Sequence, residues 1–234
     1  MSRLPPADRT KLSFHEDKFQ KLENCIGFIP QGLLVMGRKP EMLSAWARLV
    51  SLVYHEQGLV AAPLKRLIAH TVSRAAGCQY SMAHTAHAAA ENGIAIGKIT
   101  AVFDCARNAH FSDAERAALI VARHAGQTPN DVSDANFDYL RQYYSEDETL
   151  EIIAVIALFG FLNRWQATLA LTLEAAPRAF AEAHLTDIAW TIGPVTFGDR
   201  QRAALFSATH IFLVGFRASI GPFLGLVIAW FLGF

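Results

Sequence analysis

Apolar side chains recur at helical spacing along most of the first 190 residues, and nothing resembles a run of alternating strands. The first dozen residues are polar and carry Pro5-Pro6, so residues 1–17 read as a flexible arm. A short helix is expected over Lys18 to Cys25, with Gly27 and Pro30 breaking the chain after it. Pro40 suits the first turn of a helix that runs through Glu41 and Trp46 to about Tyr54, with Gly58 past its end. Pro63 opens a helix over Leu64 to Ala75. Gly77 interrupts, and a further helix runs from about Cys78 to Glu91, where Asn92-Gly93 supplies the stop. In the second half, Ser112-Asp113-Ala114-Glu115 is a capping box for a helix reaching about His124. A turn-rich loop from Thr128 leads to a short helix over Asp134 to Tyr144. Ser145-Glu146-Asp147-Glu148 then caps a long apolar helix from Thr149 to about Leu173. The predicted fold class is all-α.

Charge and cysteine content narrow the function classes. Lys and Arg number 21 and so do Asp and Glu, so the chain has no basic field and no nucleic-acid partner is expected. Cys25, Cys78 and Cys105 are far apart and odd in number, which fits neither a disulfide framework nor a cysteine-rich metal site. A reducing compartment, the cytoplasm, is expected. The N-terminus has no apolar core of a signal peptide, so no secretory signal is expected. The tail is different. From Ala203 to Phe234 the one formally charged side chain is Arg217, and Phe212 to Phe234 is long enough to cross a hydrocarbon core of about 30 Å. Residues 199–234 read as a candidate membrane anchor, with Arg200 and Arg202 keeping the preceding domain cytoplasmic. The alternatives are a hairpin buried in an oligomer interface and a segment foreign to the domain.

Candidate chemistry concentrates in Gly77-Cys78-Gln79-Tyr80-Ser81-Met82-Ala83-His84-Thr85-Ala86-His87. Helical spacing puts Cys78 beside Ser81, Ser81 beside His84 and Thr85, and His84 beside His87. A cysteine in a first helical turn meets the positive end of the helix dipole, which favours the thiolate, and a neighbouring imidazole is suited to exchange its proton. The bland alternative is a small buried filler. His70, His84 and His87 lack a carboxylate that would complete a metal-ligand pattern, so no metal and no other cofactor is expected. Asn163-Arg164-Trp165 interrupts an apolar helix and is expected to line a pocket or satisfy a helix end.

The segment LKRLIAHTVSRAAGCQYSMAHTAHAAAENG resembles the signature region of the carboxymuconolactone decarboxylase superfamily, in its alkylhydroperoxidase D-like, peroxidase-related branch. Ile26-Gly27-Phe28-Ile29-Pro30, Arg38-Lys39-Pro40-Glu41 and Phe161-Leu162-Asn163-Arg164-Trp165 resemble the same branch, so the similarity runs from about Lys18 to Glu174. The resemblance implies an alkylhydroperoxidase D-like helical domain over residues 18–190, a homo-oligomer, and peroxidase-like antioxidant activity toward a small peroxide with a thiol reductant. The family's site has the form Glu-x11-Cys-x2-Cys-x3-His. Carried over, the resolving cysteine falls on Cys78, the peroxidatic cysteine on Ser81, the glutamate on Arg66 and the histidine on Thr85, with His84 one position early. A serine forms no disulfide, so the dithiol cycle cannot run as written. Three readings remain open: a one-cysteine peroxidase through Cys78, non-redox acid/base chemistry of the lactone decarboxylase type with Cys78 and His84, and a catalytically silent domain kept for oligomerisation or partner binding. Arg66, Tyr80, Thr85 and His87 are substrate-pocket candidates beside Cys78, Ser81 and His84. Arg66 leans toward an anion-binding pocket, with an exposed arginine on an amphipathic helix as the plainer alternative.

Overall fold

Five of the described helices start where the sequence supplies a serine acceptor for their free amides, or a proline with no amide to satisfy. Ser112, Ser133 and Ser145 each accept a bond from the amide three residues on, while the side chains of Glu115, Asn136 and Glu148 accept one from the serine amide. Pro40 and Pro63 sit in first turns. The structure, a computed structural model, describes residues 2–185 apart from positions 11, 13–15, 17, 18, 21, 22, 24–26 and 56. In chain order the helices are α1 (Gln31–Met36), α2 (Pro40–Val53), α3 (Ala62–Ala75), α4 (Gln79–Glu91) and α5 (Ile96–Thr100). A 3-10 turn (Ala101–Asp104) follows, and then α6 (Asp113–Ala125), α7 (Asp134–Arg141), α8 (Glu146–Leu169) and α9 (Ala175–His184). The described residues contain no strand, and the all-α class holds.

Boundaries differ from the sequence reading where tertiary context intervenes. α7 stops at Arg141, because the amides of Tyr143 and Tyr144 both turn back to the Leu140 carbonyl. α8 ends at Leu169, since Ala170 adopts a left-handed conformation at φ 51°. Cys25 and most of the helix expected over Lys18 to Cys25 lie outside the described residues, as does the whole apolar tail. The chain divides at residue 190 into two units, and every described residue belongs to the first.

α3 is the central helix, packed against α4, α6 and α8. Leu67, Ile68 and Val72 meet the alanines Ala83, Ala86 and Ala89 of α4, Ala117 to Leu119 of α6, and Ile152 and Val155 of α8 in one core. The small side chains let helices approach closely. At the far end of α3 the approach requires glycine: a Cβ on Gly126 would lie 2.7 Å from the Ala75 Cβ and 3.0 Å from the Val72 carbonyl. α8 is long and apolar enough to cross a membrane by length and composition, but its inner face contributes Ile152, Val155, Ile156, Leu158 and Leu162 to the core.

Because α3 is surrounded, its polar side chains must be satisfied inside the protein. Thr71 and Ser73 donate to the carbonyls one turn back, at 2.8 and 2.7 Å. Lys65, only 2% exposed, donates to the Val53 carbonyl at 2.8 Å and pairs with Glu151 of α8 at 2.9 Å. Glu151 also accepts the amides of Leu59 and Val60. Burial pushes its carboxyl up, but the bonds from Lys65 and the two amides outweigh burial and bring it down to about 2. A smaller cluster of Leu12, Phe19, Leu33, Met36 and Leu43 packs with Trp46 and Trp165. The N-terminal residues run beside it, with the Ala7 amide bonded to the Leu34 carbonyl and the Arg3 amide to the Leu169 carbonyl.

Candidate active site

α3 and α4 form a hairpin whose turn is only Ala76-Gly77-Cys78. Gly77 takes φ 63°, a conformation that a side chain would strain, and this lets one helix end and the next begin within three residues. Cys78 is the N-cap of α4. Its amide donates to the Ser73 carbonyl, and its own carbonyl accepts the Met82 amide.

The Ser81 hydroxyl lies 3.2 Å from the Cys78 sulfur and also contacts the Gln166 side-chain oxygen on α8. A serine has one proton to give. With it directed at Gln166, the Ser81 oxygen accepts from the Cys78 thiol, giving a chain from thiol to hydroxyl to amide carbonyl. When Cys78 loses its proton, rotation of the hydroxyl turns the same donor onto the thiolate. Cys78 is 3% exposed, and burial pushes its thiol up despite the hydrogen bonds from Ser81 that favour the anion. This corrects the expectation from the helix dipole. The N-terminal position is present, but burial outweighs the hydrogen bonds from the Ser81 hydroxyl and the Ser81 and Tyr80 amides.

His84 is not the partner of Cys78, which corrects the acid/base pair inferred from sequence. Its Nε2 meets Glu174 at 2.6 Å. The other oxygen of Glu174 accepts the Tyr80 hydroxyl at 2.8 Å and the Gln31 amide at 2.6 Å. Tyr80 stacks on the His84 ring with 4.3 Å between centroids, and Phe28 meets it edge-on. Burial raises the Glu174 carboxyl, but the His84 bond and charge, the Gln31 amide and Tyr80 together hold it below its ordinary value. Tyr80 is pushed far upward by burial and by the adjacent carboxylate, so it remains a donor.

Thr85 occupies the position of the family histidine. Its hydroxyl donates to the Ser81 carbonyl at 2.7 Å and lies 3.0 Å from Nδ1 of His70 on α3. With the Thr85 proton committed, His70 donates from Nδ1, leaving a buried Nε2 without a partner among the described residues. Burial, with the Arg74 charge second, pushes His70 down to about 3, so the ring is neutral. His87 stands apart, edge-on to Phe180 and 3.9 Å from Glu91. Among the described residues no three His, Cys, Asp or Glu side chains converge as metal ligands.

A cavity of about 340 Å³ opens beside this cluster. Trp46, Val50, Tyr54, Phe159, Leu162 and Trp165 form its apolar wall, and Arg66, Tyr80, His84, Thr85 and Gln166 add polar groups. Three of the four substrate-pocket candidates therefore share one wall, and His87 does not. Cys78 sits behind the wall, connected to Gln166 through Ser81. Trp165 lines this cavity, whereas Asn163 and Arg164 line a separate depression of about 430 Å³. The sequence reading had no place for Glu174, Gln166 or Gln31. The one local signal was an acidic residue directly before the helix start Ala175-Ala176-Pro177.

Residues 40–124, which include the two-helix turn with Cys78 and Ser81, match the carboxymuconolactone decarboxylase family. The chain belongs to it. Over 76% of its length, and 95% of the other chain, it is 36% identical to the debrominase Bmp8, with a TM-score of 0.71. A cysteine-to-alanine variant of that debrominase in complex with 2,3,4-tribromopyrrole matches at 35% identity, over 79% and 96% of the two chains, with a TM-score of 0.71. An uncharacterised peroxidase-related protein from Ralstonia eutropha JMP134 with an alkylhydroperoxidase AhpD core shares the fold at 19% identity, over 75% and 94%, with a TM-score of 0.64. None of the curated proteins matches the chain.

Proposed function

We propose that this protein is a one-cysteine thiol enzyme that reduces a small halogenated aromatic, with Cys78 as the nucleophile. The observation that carries the reading is the pairing of Cys78 with a hydroxyl instead of a second thiol, directly behind an aromatic-lined cavity. The similarity to a debrominase over nearly that enzyme's whole length supports the substrate class.

In this cycle the Cys78 thiolate attacks the halogen, the carbon–halogen bond breaks, and the carbon takes a proton from His84 on the cavity wall, which Glu174 holds from behind. Sulfur is left bonded to halogen. One external thiol displaces halide and forms a mixed disulfide, and a second thiol releases Cys78. The sum is aryl halide plus two thiols giving arene, hydrogen halide and a disulfide, so the thiols supply both electrons. Ser81 stabilises the thiolate with its single proton, and Tyr80 holds Glu174 in place.

A second reading, one-cysteine reduction of an organic hydroperoxide, uses the same sulfur. The thiolate takes the terminal oxygen, alcohol leaves, and the sulfenic acid is returned by two thiols. It is favoured by the Cys78 position, which corresponds to a redox cysteine in the resemblance. The test is to incubate the full chain with 2,3,4-tribromopyrrole and dithiothreitol, measuring bromide by ion chromatography and product by mass spectrometry, beside a parallel reaction with cumene hydroperoxide. Bromide release that stops in Cys78→Ala supports the reductive dehalogenase. Hydroperoxide consumption alone supports the second reading, and no turnover of either leaves a catalytically silent domain.

A further inference from the structure

Arg66 lines the cavity as a half-buried side chain. His84 aside, it is the one ionisable cation on a wall that carries no carboxylate. Its guanidinium has neither a hydrogen bond nor an ion pair among the described residues. A guanidinium at the cavity mouth with no protein acceptor is free to pair with an anion that enters from solvent. The side-chain acceptors of Gln166 and Thr85 on the wall are already engaged, with Ser81 and His70, and the His84 Nε2 is committed to Glu174. Donors are in surplus. Tyr54 is held protonated because burial pushes its hydroxyl far up, and the indole nitrogens of the wall residues Trp46 and Trp165 are buried with no acceptor. The cavity thus offers an aromatic-lined apolar space and a planar cationic fork, and its wall carries no carboxylate to pair with that fork.

We propose that the cavity binds a small aromatic carboxylate, with Arg66 holding the carboxylate through its two-pronged guanidinium and the indoles flanking the ring. The hairpin geometry sets the orientation. α3 and α4 run antiparallel from the turn at Cys78, which brings Arg66 across from Ala88, and both line the cavity. Ala88 lies about 15 Å along α4 from Cys78 at about 1.5 Å per residue. The carboxylate is therefore held at the end remote from the sulfur, and the substituent opposite it points toward Gln166 and Ser81. Which end of the ligand reacts rests on the proposed role of Cys78; that it binds does not.

The test is isothermal calorimetry on the full chain, and on Cys78→Ala so that binding is read without turnover, using 4-bromobenzoate and its neutral isostere 4-bromobenzamide. The carboxylate is expected to bind about tenfold or more tightly than the amide, from the strength of a charge-assisted pair. Arg66→Met is expected to bring the two affinities within about threefold while leaving the amide nearly unchanged. Arg66→Lys, which keeps the charge and loses the fork, is expected to restore part of the preference. Thermal melts confirm that each variant is folded. Equal affinities in the unsubstituted protein, a preference that survives in Arg66→Met, or no binding of either probe overturns the proposal. No bromide release by the unsubstituted protein, or release that persists in Cys78→Ala, with the preference intact overturns the Cys78 reading alone.

Discussion

Replacing Glu174 by glutamine tests the hydrogen-bonded cluster beside the cavity with almost no change of shape. The carboxylate accepts three bonds, from the Tyr80 hydroxyl, the Gln31 amide and His84 Nε2, and its side chain is 17% exposed, so solvent screens it little. Hydrogen bonds to a charged acceptor contribute about 1.5–3 kcal/mol each and neutral ones about 0.5–1.5 kcal/mol. Removing the charge therefore costs about 1 kcal/mol per bond, or about 2–3 kcal/mol for the set. For a domain of this size that lowers Tm by about 5–10 °C. The pH dependence has a definite sign. The folded carboxyl lies below its ordinary value of 4.5, so its stabilisation is fully present above that value and is lost as pH falls through the folded value. Urea denaturation of the parent and Glu174→Gln should thus show the full gap at pH 7 and a shrinking one below about pH 4. A difference under about 0.5 kcal/mol at pH 7, or one that does not narrow in acid, refutes this account of the cluster. Glu174→Ala should cost more, because the Gln31 amide and Tyr80 hydroxyl lose their acceptor outright.

Ser81→Cys should form a disulfide with Cys78 under mild oxidant, since the Ser81 oxygen is already 3.2 Å from the sulfur; intact mass spectrometry would show the loss of two hydrogens. Alkylation of Cys78 by iodoacetamide should accelerate through pH 9 with no plateau below it, because burial raises the thiol, and Ser81→Ala should slow it further at each pH below that. His70 sits far below its ordinary value, so the unfolded chain binds a proton that the folded one refuses. Stability should be full above pH 6.5 and fall toward acid by up to about 1.4 kcal/mol per pH unit, a slope that His70→Gln flattens between pH 6.5 and 4.5 in a series of melts.

What was legible in the sequence was what is decided within one helical turn. Ser112 with Glu115 and Ser145 with Glu148 satisfy each other across three residues, so these helix starts could be read with no knowledge of the rest. Cys78 and Ser81 are neighbours for the same reason. Glu174 reaches His84 across 90 positions and Gln166 reaches Ser81 across 85, and no local pattern announces such meetings. The polar run in α3 was also ambiguous. Lys65 and His70 look like a solvated face until α4, α6 and α8 close around them. Arg66 was balanced between an exposed side chain and a pocket cation, and only the shape of the surrounding wall separates the two. The thiol's ionisation is hidden from sequence because the dipole follows from position along a helix, whereas desolvation depends on everything packed above it.

The single proton of Ser81 ties the ionisation of Cys78 to the state of the cavity. While the thiol is neutral, that proton occupies the Gln166 carbonyl; once the thiolate forms and claims it, the carbonyl is left as a bare acceptor on the cavity wall. A ligand that donates to Gln166 therefore favours the anion, and by thermodynamic reciprocity the anion favours that ligand by the same factor. A ligand that presents a donor to Gln166 arms the sulfur, and one that presents none leaves it protonated.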